Sequence, residues 1–123
     1  ENGTMPPILD PSKYEIFVFE PSKVFLPDYQ KLREKGYNFT LIEAAVADED
    51  GFINFGGSGE GGAISGSGIT KERQSDSDVP TMDFSAWLKH SFRERDYLVC
   101  KIDIEGAETR VLIKMIQDGM ICF

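Results

Sequence analysis

Histidine and cysteine are scarce in this chain, with one His and two Cys in 123 residues. His90 stands among Lys89, Ser91 and Arg93, and neither Cys100 nor Cys122 has a C-x-x-C partner or a histidine beside it. The donor set of a zinc site is missing. Both cysteines sit in apolar runs and are expected as buried free thiols in a reducing compartment, hence a cytoplasmic location. Basic residues are also in deficit: 13 Lys and Arg against 21 Asp and Glu give a net charge of −8. That balance excludes the clustered positive charge that a nucleic-acid backbone needs. No apolar run approaches the ~20 residues of a membrane span. The opening Glu1-Asn2-Gly3-Thr4 has neither the basic nor the apolar part of a signal peptide. No G-x-S-x-G nucleophile elbow and no Walker-type G-K-[ST] occurs. Gly57, Gly59 and Gly62 match G-x-G-x-x-G formally, but the Ser- and Gly-rich residues that follow cannot open the helix a pyrophosphate would bind.

The pattern is organised around Tyr97 to Glu108. Its first half, Tyr97-Leu98-Val99-Cys100-Lys101-Ile102, is short, apolar and partly β-branched, which predicts an interior strand. Three carboxylates, Asp103, Glu105 and Glu108, follow where that run ends. Gly106 permits a tight turn, after which Ala107, Val111, Leu112, Met115 and Ile116 fall on one helical face. In open α/β sheets the ligand crevice lies outside the carboxyl ends of the strands. Asp103 and Glu105 are therefore candidates for a site, although acids at that point would equally favour the first turn of the helix.

Pro6, Pro7 and Pro11 make the first 13 residues an extended lead-in. Tyr14 to Phe19 reads as a strand stopped by Glu20-Pro21, and Phe25, Tyr29 and Leu32 as one side of a helix closed by Gly36. Asn38 to Val46 reads as a second strand, and Phe52 to Phe55 as a short strand pairing back on it. Residues 56–78 form a flexible Gly/Ser-rich and polar loop. Asp83 is an N-cap for a helix with Phe84, Trp87, Leu88 and Phe92 inside, and Met120 to Phe123 begins another strand. Alternating strands and helices predict a single α/β domain over residues 1–123, a Rossmann-like, mainly parallel sheet flanked by helices. An acid at the end of a first strand, as at Glu20, can accept hydrogen bonds from both ribose hydroxyls of a nucleotide, or simply terminate a strand beside a proline.

Three segments in this order resemble the FkbM-type methyltransferase family: Val18-Phe19-Glu20-Pro21, then Glu43-Ala44-Ala45-Val46-Ala47-Asp48 with Gly51, then Lys101-Ile102-Asp103-Ile104-Glu105-Gly106-Ala107-Glu108 with Val111-Leu112. Val79-Pro80-Thr81-Met82-Asp83 is similar to the family's link to its next helix. The resemblance implies a Rossmann-like S-adenosylmethionine-dependent methyltransferase acting on a hydroxyl of a sugar or natural product. Cofactor contacts would then come from Glu20 with Pro21, from Ala44, Ala45 and Val46 near the adenine, and from Asp103, with Asp103 and Glu105 at the reacting groups. Methyl transfer needs donor and acceptor in line and a base for the acceptor proton.

The family's first strand and Gly-rich turn have no counterpart before Tyr14, and its later strands none after Phe123. In the family's sheet that strand lies between the strands ending at Glu20 and Asp103. The resemblance thus implies a domain truncated at both ends, a fragment with weakened cofactor binding that self-associates through exposed sheet edges. A small-molecule hydroxyl acceptor is the expected partner, with neither nucleic acid nor membrane. Two other readings stand beside it: a non-catalytic α/β binding or interaction module, and a Mg²⁺ enzyme built on Asp103, Glu105 and Glu108.

Overall fold

The computed structural model describes residues 10–54, 68–104 and 106–121. Strand β1 (Phe17–Phe19) enters a 3-10 turn at Lys23–Phe25, begun by Ser22, whose Oγ accepts from the Val24 N–H. Helix α1 (Leu26–Glu34) follows, with Pro27 in its first turn, where no N–H is needed. It ends at Gly36, whose φ of +94° suits a residue without Cβ. Strand β2 (Thr40–Ile42) then lies parallel to β1, with Phe17 opposite Thr40 and Phe19 opposite Ile42.

The stretch expected as one strand over Asn38 to Val46 is divided. After Ile42 the chain kinks, the Ala44 N–H donating to the Ile42 carbonyl at 2.9 Å, and β3 (Ala45–Ala47) belongs to a different sheet. There β3 runs parallel to β5 (Asp78–Asp83), and β4 (Gly51–Asn54) runs antiparallel to β5. The expected pairing of β4 back on β3 is thus replaced by β5 lying between them. The turn residues hold β5 there: Thr81 Oγ1 donates to the Glu49 carbonyl at 2.9 Å, and Asp50 Oδ1 accepts from the Asp83 N–H at 2.8 Å. Pro80 is tolerated inside β5. It faces Phe52, whose own N–H and carbonyl bond Thr70 on the other side, and the β3 pairing begins one residue later at Thr81.

Among the described residues there are two small sheets and three α-helices, a mixed α/β arrangement. Helix α2 (Phe84–Ser91) starts where expected, the Asp83 Oδ1 accepting from the Ala86 N–H at 3.0 Å. Helix α3 (Glu108–Gln117) buries Ala107, Val111 and Met115, one residue per turn, while Leu112 and Ile116, expected on the same face, stay 40% and 46% exposed. The core joins Val46, Phe84, Leu88, Val111 and Met115, with Phe19, Trp87, Ile102 and Ile104 packed against it.

The organising run is not a strand. Residues 97–104 make no ladder pairing among the described residues, and Tyr97, Leu98 and Val99 are 79%, 40% and 60% exposed. β-propensity supplies only a tendency; a strand needs a neighbour to receive its N–H and carbonyl groups. Met120 and Ile121 likewise belong to no strand, and the rest of that predicted strand lies outside the described residues. Of the 56–78 loop, residues 56–67 lie outside the described residues. Its later part is held by Asp78, whose carboxylate accepts from the Gln74 and Ser75 N–H groups and from Asn54 Nδ2, which pulls its pKa below the usual carboxylate value. No helix among the described residues is long and apolar enough to cross a membrane.

Candidate functional site

Phe17 and Phe19 alternate on one face of β1 and meet the edge of α2. Phe17 lies 5.2 Å from Trp87 and 5.7 Å from Phe92, and Phe19 lies 4.9 Å from Trp87 and 5.7 Å from Phe84, all edge to face. This aromatic layer fixes the distance between β1 and α2. Beside it opens a cavity of about 730 Å³, one wall formed by residues 14–20 and the other by residues 97–104. That volume is within the range of small-molecule sites.

Glu20 and Asp103 both line this cavity. Glu20 is half-buried and held in place twice. Its N–H donates to the Ile42 carbonyl at 3.0 Å, and its Oε1 accepts from the Ser22 N–H at 2.9 Å. Tyr29 of α1 is the third element of this corner. Desolvation, and then the charge of Glu20 and a hydrogen bond to it, raise the phenol pKa above its ordinary value of 10.0. Asp103 is exposed, on the opposite wall, with Lys101 two residues earlier lining the same cavity.

The other predicted site residues divide. Val46 lines the cavity, whereas Ala44 and Ala45, 5% and 2% exposed, are buried without lining it, and Pro21 does not line it either. Glu105 lies outside the described residues. Glu108 does not serve as a free carboxylate: Oε1 accepts from the Ile104 N–H at 3.1 Å and Oε2 from the Gly106 N–H at 2.8 Å, so it clamps the turn before its own helix. Among the described residues no group of three His, Cys, Asp or Glu side chains could hold a metal ion.

Cys100 corrects the expectation of a buried thiol. It is free and exposed, since the run that carries it has no ladder neighbour among the described residues, and the desolvation it does undergo raises its pKa. Sequence reasoning missed Tyr29 as a site residue, since its spacing with Phe25 and Leu32 marks only the inner side of a helix. It also missed the aromatic layer as a wall, because the apolar period of α2 predicts burial without saying against what.

The family model of the methyltransferase FkbM domain matches residues 8–121. The chain belongs to the FkbM methyltransferase family. No curated protein and no solved structure matches it. Within this FkbM domain the matched stretch includes both walls of the cavity, and the three segments that carried the resemblance all contribute to its lining: Val18 to Glu20, Val46, and Lys101 to Ile104.

Proposed function

We propose that the cavity binds S-adenosylmethionine and that this FkbM domain catalyses methyl transfer to a hydroxyl oxygen of a sugar or natural product, on a Rossmann-like scaffold. One observation carries the reading: Glu20 and Asp103, remote in sequence, line a single cavity beside an aromatic layer. The residues present fit a nucleoside. Glu20 is fixed by the Ser22 N–H through one oxygen, which leaves lone pairs for ribose hydroxyls. Val46 gives a small apolar wall for adenine, Ala44 and Ala45 before it are buried, and Pro21 follows the strand that delivers Glu20.

When bound, the cofactor supplies an electrophilic methyl group. The protein's part is to hold the acceptor in line and to take its proton. Asp103 accepts that proton, and Glu105 is the second candidate for this role by its place in the sequence motif. The exposed free thiol of Cys100 agrees with a cytoplasmic setting. A Mg²⁺ role for the acidic turn loses support, because both Glu108 oxygens are engaged by backbone N–H groups.

Calorimetry with S-adenosylmethionine and S-adenosylhomocysteine tests the reading. Glu20→Gln is expected to weaken binding of both by roughly tenfold or more, the loss of a charged hydrogen-bond acceptor. Asp103→Asn is expected to retain binding heat and lose about 100-fold or more in turnover of a hydroxyl acceptor. Absence of heat at millimolar cofactor, or an unchanged affinity in Glu20→Gln, would overturn it. Heat without turnover of any acceptor would favour the non-catalytic binding module.

A further inference from the structure

Asp103 stands between Ile102 and Ile104, which both pack against the core, and it lines the cavity itself. The two isoleucines anchor the chain on either side of it. Beyond Ile104 the chain turns, and what grips that turn comes from helix α3. Glu108 is the first residue of α3, whose N-cap, Ala107, makes no side-chain bond. The helix dipole favours an acid at this position wherever its carboxylate lies. This carboxylate reaches back along the chain: Oε1 accepts from the Ile104 N–H at 3.1 Å and Oε2 from the Gly106 N–H at 2.8 Å. Both bonds are to a charged acceptor, the stronger kind. The Ile104 N–H lies in the planar peptide that joins Asp103 to Ile104, so holding it limits rotation about ψ of Asp103. That rotation decides where the Asp103 carboxylate points.

We propose that Glu108 is a positioning residue for methyl transfer, its carboxylate setting the direction in which Asp103 meets the acceptor hydroxyl. The inference rests on the reading of Asp103 as the proton acceptor. A clamp that only supports the fold behaves differently. Its loss lowers the folded fraction and leaves each folded molecule fully active. Loss of an orienting clamp slows every folded molecule, because a misplacement of about 1 Å at a reacting group costs up to about 100-fold in rate. Cofactor affinity is unaffected, since Glu20 lies on the opposite wall of the cavity. Aspartate at position 108 separates the two roles. It keeps the negative charge at the start of α3 and, one methylene shorter, gives up the reach to both N–H groups.

Turnover of a hydroxyl acceptor on the whole chain, counted per cofactor site by calorimetric stoichiometry, tests this. Glu108→Asp is expected to lower kcat per site by about 10- to 100-fold. The Kd of S-adenosylmethionine and the KM of the acceptor should stay within about twofold. Glu108→Gln keeps the length and one acceptor oxygen, so its loss should be the smaller. In an Asp103→Asn background, Glu108→Asp should lower the residual rate by less than about twofold, since nothing is left to orient. Amide hydrogen exchange in the cofactor-free chain reads the clamp without turnover. The Ile104 and Gly106 amides are expected to exchange slowly in the natural chain and roughly tenfold faster or more in Glu108→Asp, with the amides of α2 unchanged. Three results would overturn the assignment: fast exchange at Ile104 and Gly106 in the natural chain; an unchanged kcat per site in Glu108→Asp; or losses that multiply when Glu108→Asp and Asp103→Asn are combined. Full turnover in Asp103→Asn alone would instead strike the reading of Asp103, so the two failures are distinguishable.

Discussion

Lys114 of α3 donates to Asp83, the residue that caps α2, at 3.1 Å, and at 2.6 Å to Asp118, which also accepts from Ser85 at 2.8 Å. One ammonium group thus ties the start of α2 to the end of α3. The hydrogen bonds that Lys114 donates to Asp118, then to Asp83, raise the Lys114 pKa, and the hydrogen bond from Lys114, then that from Ser85, lowers the Asp118 pKa.

The signs of these shifts give a pH window. Stability from Asp118 is complete above the ordinary carboxylate value of 3.8 and is lost as pH falls through the lowered value. Stability from Lys114 is complete below 10.5 and is lost as pH rises through the raised value. Melting temperatures of the natural chain and Lys114→Met should differ by a constant amount between these limits and converge toward each other outside them. A difference that varies across neutral pH would show that the network is not what holds the two helices together.

Gly106 has φ of +99°, and its N–H is held by Glu108 at 2.8 Å. Gly106→Ala is expected to cost about 1–3 kcal/mol through backbone strain alone, since nothing lies near the added methyl group. Denaturant unfolding of Gly106→Ala and Glu108→Gln should show destabilisation in both. The double variant should be less destabilised than the sum, because both changes loosen the same turn.

Helix α3 offers a direct test of which apolar residues matter. Met115 is 7% exposed and Ile116 46% exposed. Met115→Ala should cost about 2–5 kcal/mol by leaving a cavity, and Ile116→Ala no more than about 0.5 kcal/mol, as for an exposed surface position. Similar losses at both, measured by urea unfolding at low concentration, would mean that the exposed face of α3 is covered in solution.

The sequence by itself determined the local signals. Asp83 caps α2 because an acceptor is needed for orphan N–H groups, Gly36 and Gly106 stand where φ is positive, and Pro21 follows the end of β1. Each depends on a few neighbouring residues, so each is legible without a fold. The placement of Glu20 and Asp103 at one cavity was legible only through the resemblance to a family. Only the tertiary structure decided that Asn38 to Val46 breaks between two sheets, that β5 separates β3 from β4, and that Glu108 closes a turn. It also decided that the most strand-like run in the chain has no ladder partner among the described residues. A residue's preference for extended backbone is local, whereas a ladder is a bond to another segment, and which segments meet is settled by packing across the whole chain.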